Sequence, residues 1–276
     1  MRTIALIAAI LTYWSPACVT NIVQAESGAR PSVKAAGGPS GTKPEDGKRK
    51  RKVKKAAATR PDKPRQLLYK DDFDGDLSQW VIEQAPGGAV RLKDEQLDID
   101  DAKGCTVWFK EKLTGLIAIE YEATMIKQKG RSHDRVSDLN CFWMAIDPKH
   151  PKDIFSNKKR KGSFKNYHSL RLYYVGYGAN NNNTTRFRRY PGGGARPCLP
   201  EHDRRDKKFM HTPNKTLKIR IIADGGRIQY LRDGEIVFDV IDKEPFTKGW
   251  FGFRTVRNHM RIDNFRVYSL ARPKKG

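Results

Sequence analysis

The stretch YYVGYGANNNNTTRFRRY, Tyr173 to Tyr190, gathers five aromatic rings and three arginines around four consecutive asparagines. Arginine grips a carboxylate or sulfate through two parallel hydrogen bonds, a ring covers the flat face of a sugar, and an amide satisfies hydroxyls. The stretch therefore suits an acidic sugar. A plainer reading makes Tyr173, Tyr174 and Tyr177 sheet packing and Asn180 to Asn183 a turn that tolerates left-handed backbone. That reading leaves the clustered arginines unexplained.

Strand alternation divides these residues into two sets. Leu170, Leu172 and Tyr174 read as a core face, with Ser169, Arg171, Tyr173 and Val175 on the opposite face. Between Asp138 and Ile146, the residues Leu139, Cys141, Trp143 and Ala145 form an apolar set, while Asp138, Asn140 and Phe142 share the other side. Parity also leaves Arg186 and Arg188 together. If these strands are neighbours on a concave sheet, the second faces line a groove.

Such a groove favours elimination from a uronate. A cation or amide must stabilise the carboxylate as the adjacent C–H is lost, and a Tyr, His or Lys must take the proton. His168 and Tyr173 are the expected proton-handling pair, and Asn140, Arg171 and Arg188 the expected carboxylate holders. Further substrate contacts are expected from Arg186, Tyr177, Arg254 and His259. His168 nominally points inward, so a bulge or its place at the strand entry must turn it toward the groove. Hydrolysis would need two facing carboxylates. Asp138, Glu201 and Asp203 exist, but no Glu-x-Asp-x-x-Glu arrangement accompanies them. A lyase or dehydratase is therefore favoured over a glycoside hydrolase, and a non-catalytic glycan-binding module would use the same groove.

Metal and thiol chemistry have less support. Asp71, Asp72, Asp74 and Asp76 around Gly75 could offer oxygens to calcium, but they lack the spacing of a calcium loop and read as a solvated turn. No metal site or other cofactor is assigned. Cys105, Cys141 and Cys198 lack the paired spacing of a zinc site. In an exported domain they allow one disulfide and one free thiol, with the pairing left open and Cys141 expected to be buried on its apolar face.

The whole chain narrows the partner. With 276 residues and a formal net charge of +23, it calls for something anionic: nucleic acid, glycan or membrane surface. Met1-Arg2-Thr3, the apolar run Ile4 to Trp14 and the small-x-small Val23-Gln24-Ala25 have the form of a signal peptide, residues 1–25, too short to span a bilayer. Cys18 fits a lipid-anchor box poorly, because that box wants an aliphatic residue three positions earlier. The expectation is a secreted or periplasmic monomer that meets an acidic polysaccharide or oligosaccharide and no nucleic acid. Residues 26–66 are poor in apolar groups and contain KRKRKVKK, so they read as a disordered basic linker; residues 271–276 read as a basic tail. Beyond residue 66 there remain 40 Lys/Arg against 27 Asp/Glu, so the domain itself, 67–270, is basic.

That domain reads as strand after strand. Apolar alternation predicts Ala89–Leu92, Gln96–Ile99, Thr106–Phe109, Leu116–Met125, Leu139–Ile146, His168–Val175, Thr185–Tyr190, Leu217–Ala223, Arg227–Arg232, Glu235–Asp239, Gly249–Arg254 and Met260–Tyr268. Asp233-Gly234 carries the signature of a tight hairpin. A dozen strands in some 200 residues predict an all-β antiparallel sandwich of jelly-roll type.

The opening Asp71-Asp72-Phe73-Asp74-Gly75 with Leu77 and Trp80, the hairpin Tyr230 to Gly234 and the closing Arg261 to Tyr268 resemble the concanavalin A-like jelly-roll superfamily. YHSLRLYYVGYG, NNNTTRFRRYPG, LPEHD and WFGFRTVRNHMRIDNFRVY are similar to a family of exported bacterial domains of unknown function within it, from about Tyr69 to Leu270. The resemblance implies carbohydrate as the partner, since glycan-binding modules, glycoside hydrolases and polysaccharide lyases share that fold. It fixes no reaction.

Overall fold

The computed structural model describes residues 66–131 and 133–270. The expected signal peptide, Cys18, the linker up to residue 65 and the tail at 271–276 lie outside the described residues. The strands are β1 (Gln66–Asp71), β2 (Trp80–Gln84), β3 (Ala89–Lys93), β4 (Gln96–Asp101), β5 (Cys105–Phe109), β6 (Leu113–Thr114), β7 (Ile117–Met125) and β8 (Leu139–Ile146). They continue with β9 (Arg171–Gly178), β10 (Thr184–Pro191), β11 (Asp203–Arg204), β12 (Thr216–Asp224), β13 (Arg227–Arg232), β14 (Glu235–Ile241), β15 (Lys248–Thr255) and β16 (Asn258–Ser269). All twelve expected strands are present. The alternation rule missed β1, β2 and the two-residue strands β6 and β11.

Two antiparallel sheets form a sandwich. The first runs β14-β13-β12-β7-β16-β4-β3, with β1 also paired to β16; the second runs β11-β10-β9-β8-β15-β5-β2, with β6 also paired to β15. β7 shows why the sequence folds this way: Ile117, Ile119, Tyr121, Ala123 and Met125 face the core. Its outward Glu120 and Glu122 meet Arg220 and Lys218 of β12 at 3.2 and 3.3 Å. Between β13 and β14, Asp233 and Gly234 both take positive φ, 51° and 79°, the mirror-image turn whose twist matches that of a hairpin.

The core between the sheets contains Leu97, Ile99, Tyr121, Trp143, Tyr173, Val175, Phe251, Phe253 and Phe265. A second buried cluster, with Trp108, Phe142, Ile146, Ile154, Tyr167, Leu170, Leu172, Tyr174, Tyr190 and Trp250, lies on the outer face of the second sheet. Residues Ile154 to Leu170 supply its cover. This second cluster inverts the expected faces of β9: Tyr173, Val175 and Tyr177 point into the sandwich, and Leu172 and Tyr174 point outward. β9 is buried on both sides, so alternation separates its faces without saying which is internal. On β8, Leu139, Cys141 and Trp143 face the main core as expected, but Ala145 does not. Met144 has φ of 51° and the pairing with β9 shifts between Trp143 and Ile146, a bulge that moves Ala145 to the outer cluster.

Cys105 and Cys141 are both free, so none of the pairings left open among Cys105, Cys141 and Cys198 forms, which corrects the expected disulfide. Phe253 of β15 pairs with Val107 of β5 on one side and Cys141 of β8 on the other, so a whole strand separates β5 from β8. That separation exceeds the Cα span a disulfide bridges. Cys141 is buried as expected, and burial pushes its thiol up to about 12.

Candidate functional site

The outer face of the second sheet carries a polar row set by strand register. Thr106 pairs with Arg254, Arg254 with Asn140, Asn140 with Gly176, Gly176 with Arg186, and Arg186 with Asp203. One step along the strands the row becomes Trp108, Gly252, Phe142, Tyr174 and Arg188. The glycines are required here because the aromatic rings lie flat over them. A Cβ on Gly176 would stand 2.6 Å from the Tyr174 hydroxyl oxygen, and one on Gly252 would stand 2.6 Å from the Trp108 ring. The result is an aromatic floor with arginines and an amide beside it.

Arg254 is the centre of this arrangement. It is 1% exposed, and its Nη1 donates to the Gly162 carbonyl at 2.6 Å and to Thr106 Oγ1 at 3.2 Å. Its Nε and Nη2 are buried without a hydrogen-bond partner, as is Oδ1 of Asn140 on the neighbouring strand. Nε–H and Nη2–H form the side of a guanidinium that presents two parallel donors. Buried polar groups are ordinarily satisfied, so an unmatched donor pair on the strand beside an unmatched acceptor makes this a candidate place for polar contacts. Asp138, at the start of the same face, accepts from Ser137 Oγ at 2.8 Å and from Arg135 Nη2 at 2.5 Å, and Asn140 Nδ2 donates to it at 3.4 Å.

One end of the row is walled. Arg160, wholly buried, holds Glu83 through Nε and Nη2 and donates to the Ile154 carbonyl, while Tyr167 donates to Glu83 at 2.7 Å. Gly104 and Gly162 approach so closely that a Cβ on either would run into the other's carbonyl oxygen. Phe164 and Tyr167 of this wall pack beside Arg254, with ring centres 5.2 and 5.1 Å from its guanidinium carbon.

Burial and charge set the protonation states. Burial raises the Tyr174 hydroxyl well above its usual range; Tyr190 and Asp138 push it the same way, against Arg254 and Arg188. Burial also raises Tyr190, against Arg188 and Arg196. His168 is lowered to about 4, first by burial and then by Arg196, Arg188 and Arg254. It sits in the turn before β9, so strand parity does not dictate its direction, and its Nε2 is buried without a partner. It is neutral near pH 7 and able to accept a proton. Burial likewise lowers His211 to about 4. Because the unfolded chain binds these protons at about 6.5 and the folded one only near 4, stability should be full above pH 6.5 and fall as pH drops toward 4. Thermal midpoints across that window should show the decline, and His168→Gln with His211→Gln should flatten it.

The other expected site residues divide. Asn140, Arg186, Arg188, Arg254 and His168 come to this face. Tyr173 does not: it is buried in the sandwich, its hydroxyl donates to Asp242 at 2.5 Å and accepts from the Phe246 amide at 3.0 Å, and burial raises its pKa. Arg171 shares that inner face and lies 4.7 Å from the centre of the Phe246 ring. Tyr177 packs in the core against His211 and Tyr230. His259 lies on the first sheet, bound to Asp98 at 2.7 Å. Arg186 is held by Asp203 at 2.9 Å.

The asparagine run is a turn. Asn180, Asn181 and Asn182 take positive φ between β9 and β10. Asn181 accepts from Arg135, and Asn182 exchanges hydrogen bonds with the backbone of His211. Sequence reasoning missed Tyr174, one residue from the tyrosine it chose, and Tyr190 and Arg196, which only the fold brings to this face.

In the acidic stretch that begins at the end of β1, Asp71 accepts from Trp80 Nε1 and the Phe73 amide, Asp72 pairs with Arg266, and Asp76 accepts from the Ser78 amide. Among the described residues, Asp100, His133 and Asp134 approach one another closely enough to suggest a cation site. The guanidinium of Arg131 already stands there, at 2.5 Å from Asp100 and 2.9 Å from His133.

The family model described as Domain of unknown function (DUF6250) matches residues 99–265. No protein of curated function matches the chain. Among solved structures, a protein of unknown function with galectin-like fold from Bacillus subtilis is 20% identical, with a TM-score of 0.58 over 76% of this chain and 99% of that one. The carbohydrate binding module CBM66 from Bacillus subtilis is 14% identical, with a TM-score of 0.48 over 70% of this chain and 96% of that one. A pseudo beta-1,3-glucanase of Mycobacterium tuberculosis is 14% identical, with a TM-score of 0.47 over 75% of this chain and all of that one. The first of these likenesses agrees with the jelly-roll sandwich described above.

Proposed function

The chain belongs to the DUF6250 family, and we propose that it acts outside the cytoplasm on an acidic polysaccharide or oligosaccharide, as a lyase working on the outer face of the second sheet. The observation that carries this reading is the unmatched Nε–Nη2 edge of buried Arg254 beside the unmatched Asn140 oxygen. A uronate carboxylate fits that edge, with Arg188 adding positive charge from three strands away. In the proposed reaction neutral His168 removes the proton next to the carboxylate. The electrons of that C–H bond form a carbon–carbon double bond, the glycosidic C–O bond breaks, and the Tyr174 hydroxyl protonates the departing oxygen. Charge that builds on the carboxylate is met by donors already in place. A hydrolase is less well served, because Asp138 and Asp203 are each engaged by an arginine.

Incubation with a panel of uronate-containing polymers should raise absorbance in the ultraviolet band of an unsaturated uronate, and binding should weaken as salt rises. Salt-sensitive binding without new absorbance would reduce the reading to a glycan-binding module. Equal affinity for a neutral glucan, indifferent to salt, would sink it.

A further inference from the structure

The polar row on the second sheet changes from buried to open along its length. Arg254 is 1% exposed and Asn140 3%, but 23% of the Arg186 side chain is exposed. Those three residues lie on β15, β8 and β10, so the row spans three strand gaps, about 14 Å. Past Arg254 it stops. Thr106 and Glu83 continue the register, but the segment from Arg160 to Tyr167 lies over them. That segment cannot lift easily: Arg160 is wholly buried on Glu83 and Asp147, and the Gly104–Gly162 contact leaves no gap beneath it. At the other end Arg188 and Arg186 line the entry, and the loop carrying the exposed Arg196 stands beside it.

We infer that this face is a slot closed at Arg254 and open at Arg186, and that it receives the end of an acidic glycan chain rather than its middle. The inference rests on the proposed acidic-glycan function and deepens it. A sugar in the interior of a polymer must leave a site on both sides, and the pinned segment occupies one of those sides. A terminal unit needs only one way out. Its carboxylate then meets the free edge of Arg254, a hydroxyl can donate to Asn140 Oδ1, and the rest of the chain runs over Tyr174 toward Arg188 and Arg186. The burial gradient suits this order, since one charged unit can be fully desolvated against the guanidinium while later units stay hydrated.

Calorimetric titration of the full chain with a homopolymeric uronate in two chain lengths, at low salt, tests the inference. End recognition predicts one protein bound per glycan chain whatever its length, so that equal masses of short chains bind more protein than long ones. Where the polymer is also cleaved, single units should accumulate from the first minutes while viscosity falls slowly. Binding sites that multiply with chain length, or early products of mixed length, would overturn the slot and leave the acidic-glycan function standing. No heat with either length at low salt would overturn both. Arg254→Lys keeps the charge and removes the two-pronged edge, so it should weaken binding tenfold or more in a variant whose thermal melt shows that it remains folded. Affinity equal to the parent's, in a folded variant, would count against the closed end at Arg254.

Discussion

Tyr174→Phe should lower turnover of a uronate polymer about 100- to 10,000-fold, the usual contribution of one positioned proton donor. The ring stays, so the outer cluster and ligand binding should change little. Tyr173→Phe, one residue away, should leave turnover within about twofold and lower stability instead. Its hydroxyl serves Asp242 and the Phe246 amide inside the sandwich. Leaving that buried amide unpaired costs about 1–3 kcal/mol. Steady-state rates and thermal melts on the two variants separate the roles. Equal rates for Tyr174→Phe and the parent would remove Tyr174 from the chemistry. Loss of rate in Tyr173→Phe at an unchanged thermal midpoint would return the role to the residue that alternation first suggested.

Arg160→Ala should destabilise the domain by about 3–5 kcal/mol, because it removes the buried counter-charge of Glu83 and Asp147. For a domain of this size that is a fall in thermal midpoint on the order of 10 °C. The loss should concentrate in one segment. Arg160 also donates to the Ile154 carbonyl, so hydrogen exchange should quicken between Ile154 and Leu170 before it does in the strands. A change in thermal midpoint below about 2 °C would mean that the segment is held by its apolar contacts alone.

Much of the fold follows from local pattern. β7 alternates apolar residues facing the core with Glu120, Glu122 and Thr124 on the other side, and both β7 and β13 were found from the sequence to within a residue. Asp233-Gly234 implied its hairpin because few other pairs accept two successive positive φ values. β1 was missed because Leu67 and Leu68 are both exposed, so no alternation marks it. β6 and β11 are too short to carry a period.

The candidate site was half readable, and β9 shows where reading stopped. Asn140 and Arg254 are polar residues on largely apolar strands, and Arg186 and Arg188 share one face of β10 by parity, signals carried by the sequence alone. The choice between Tyr173 and Tyr174 had no such signal, because β9 is buried on both faces and a period of two then separates the faces without ranking them. His168 escaped the strand rule because the strand begins three residues later, at Arg171.

The amino-acid pattern alone determined an all-β sandwich, a basic surface and a set of arginines and tyrosines on neighbouring strands, since period, turn chemistry and charge are local properties of the chain. Only the tertiary structure decided which face of the second sheet gathers the candidate residues and that the segment from Arg160 to Tyr167 covers one end of their row. Those outcomes depend on Arg160 reaching Glu83 and on Gly104 meeting Gly162, contacts between residues 77 and 58 positions apart, and no local pattern encodes a contact at that distance.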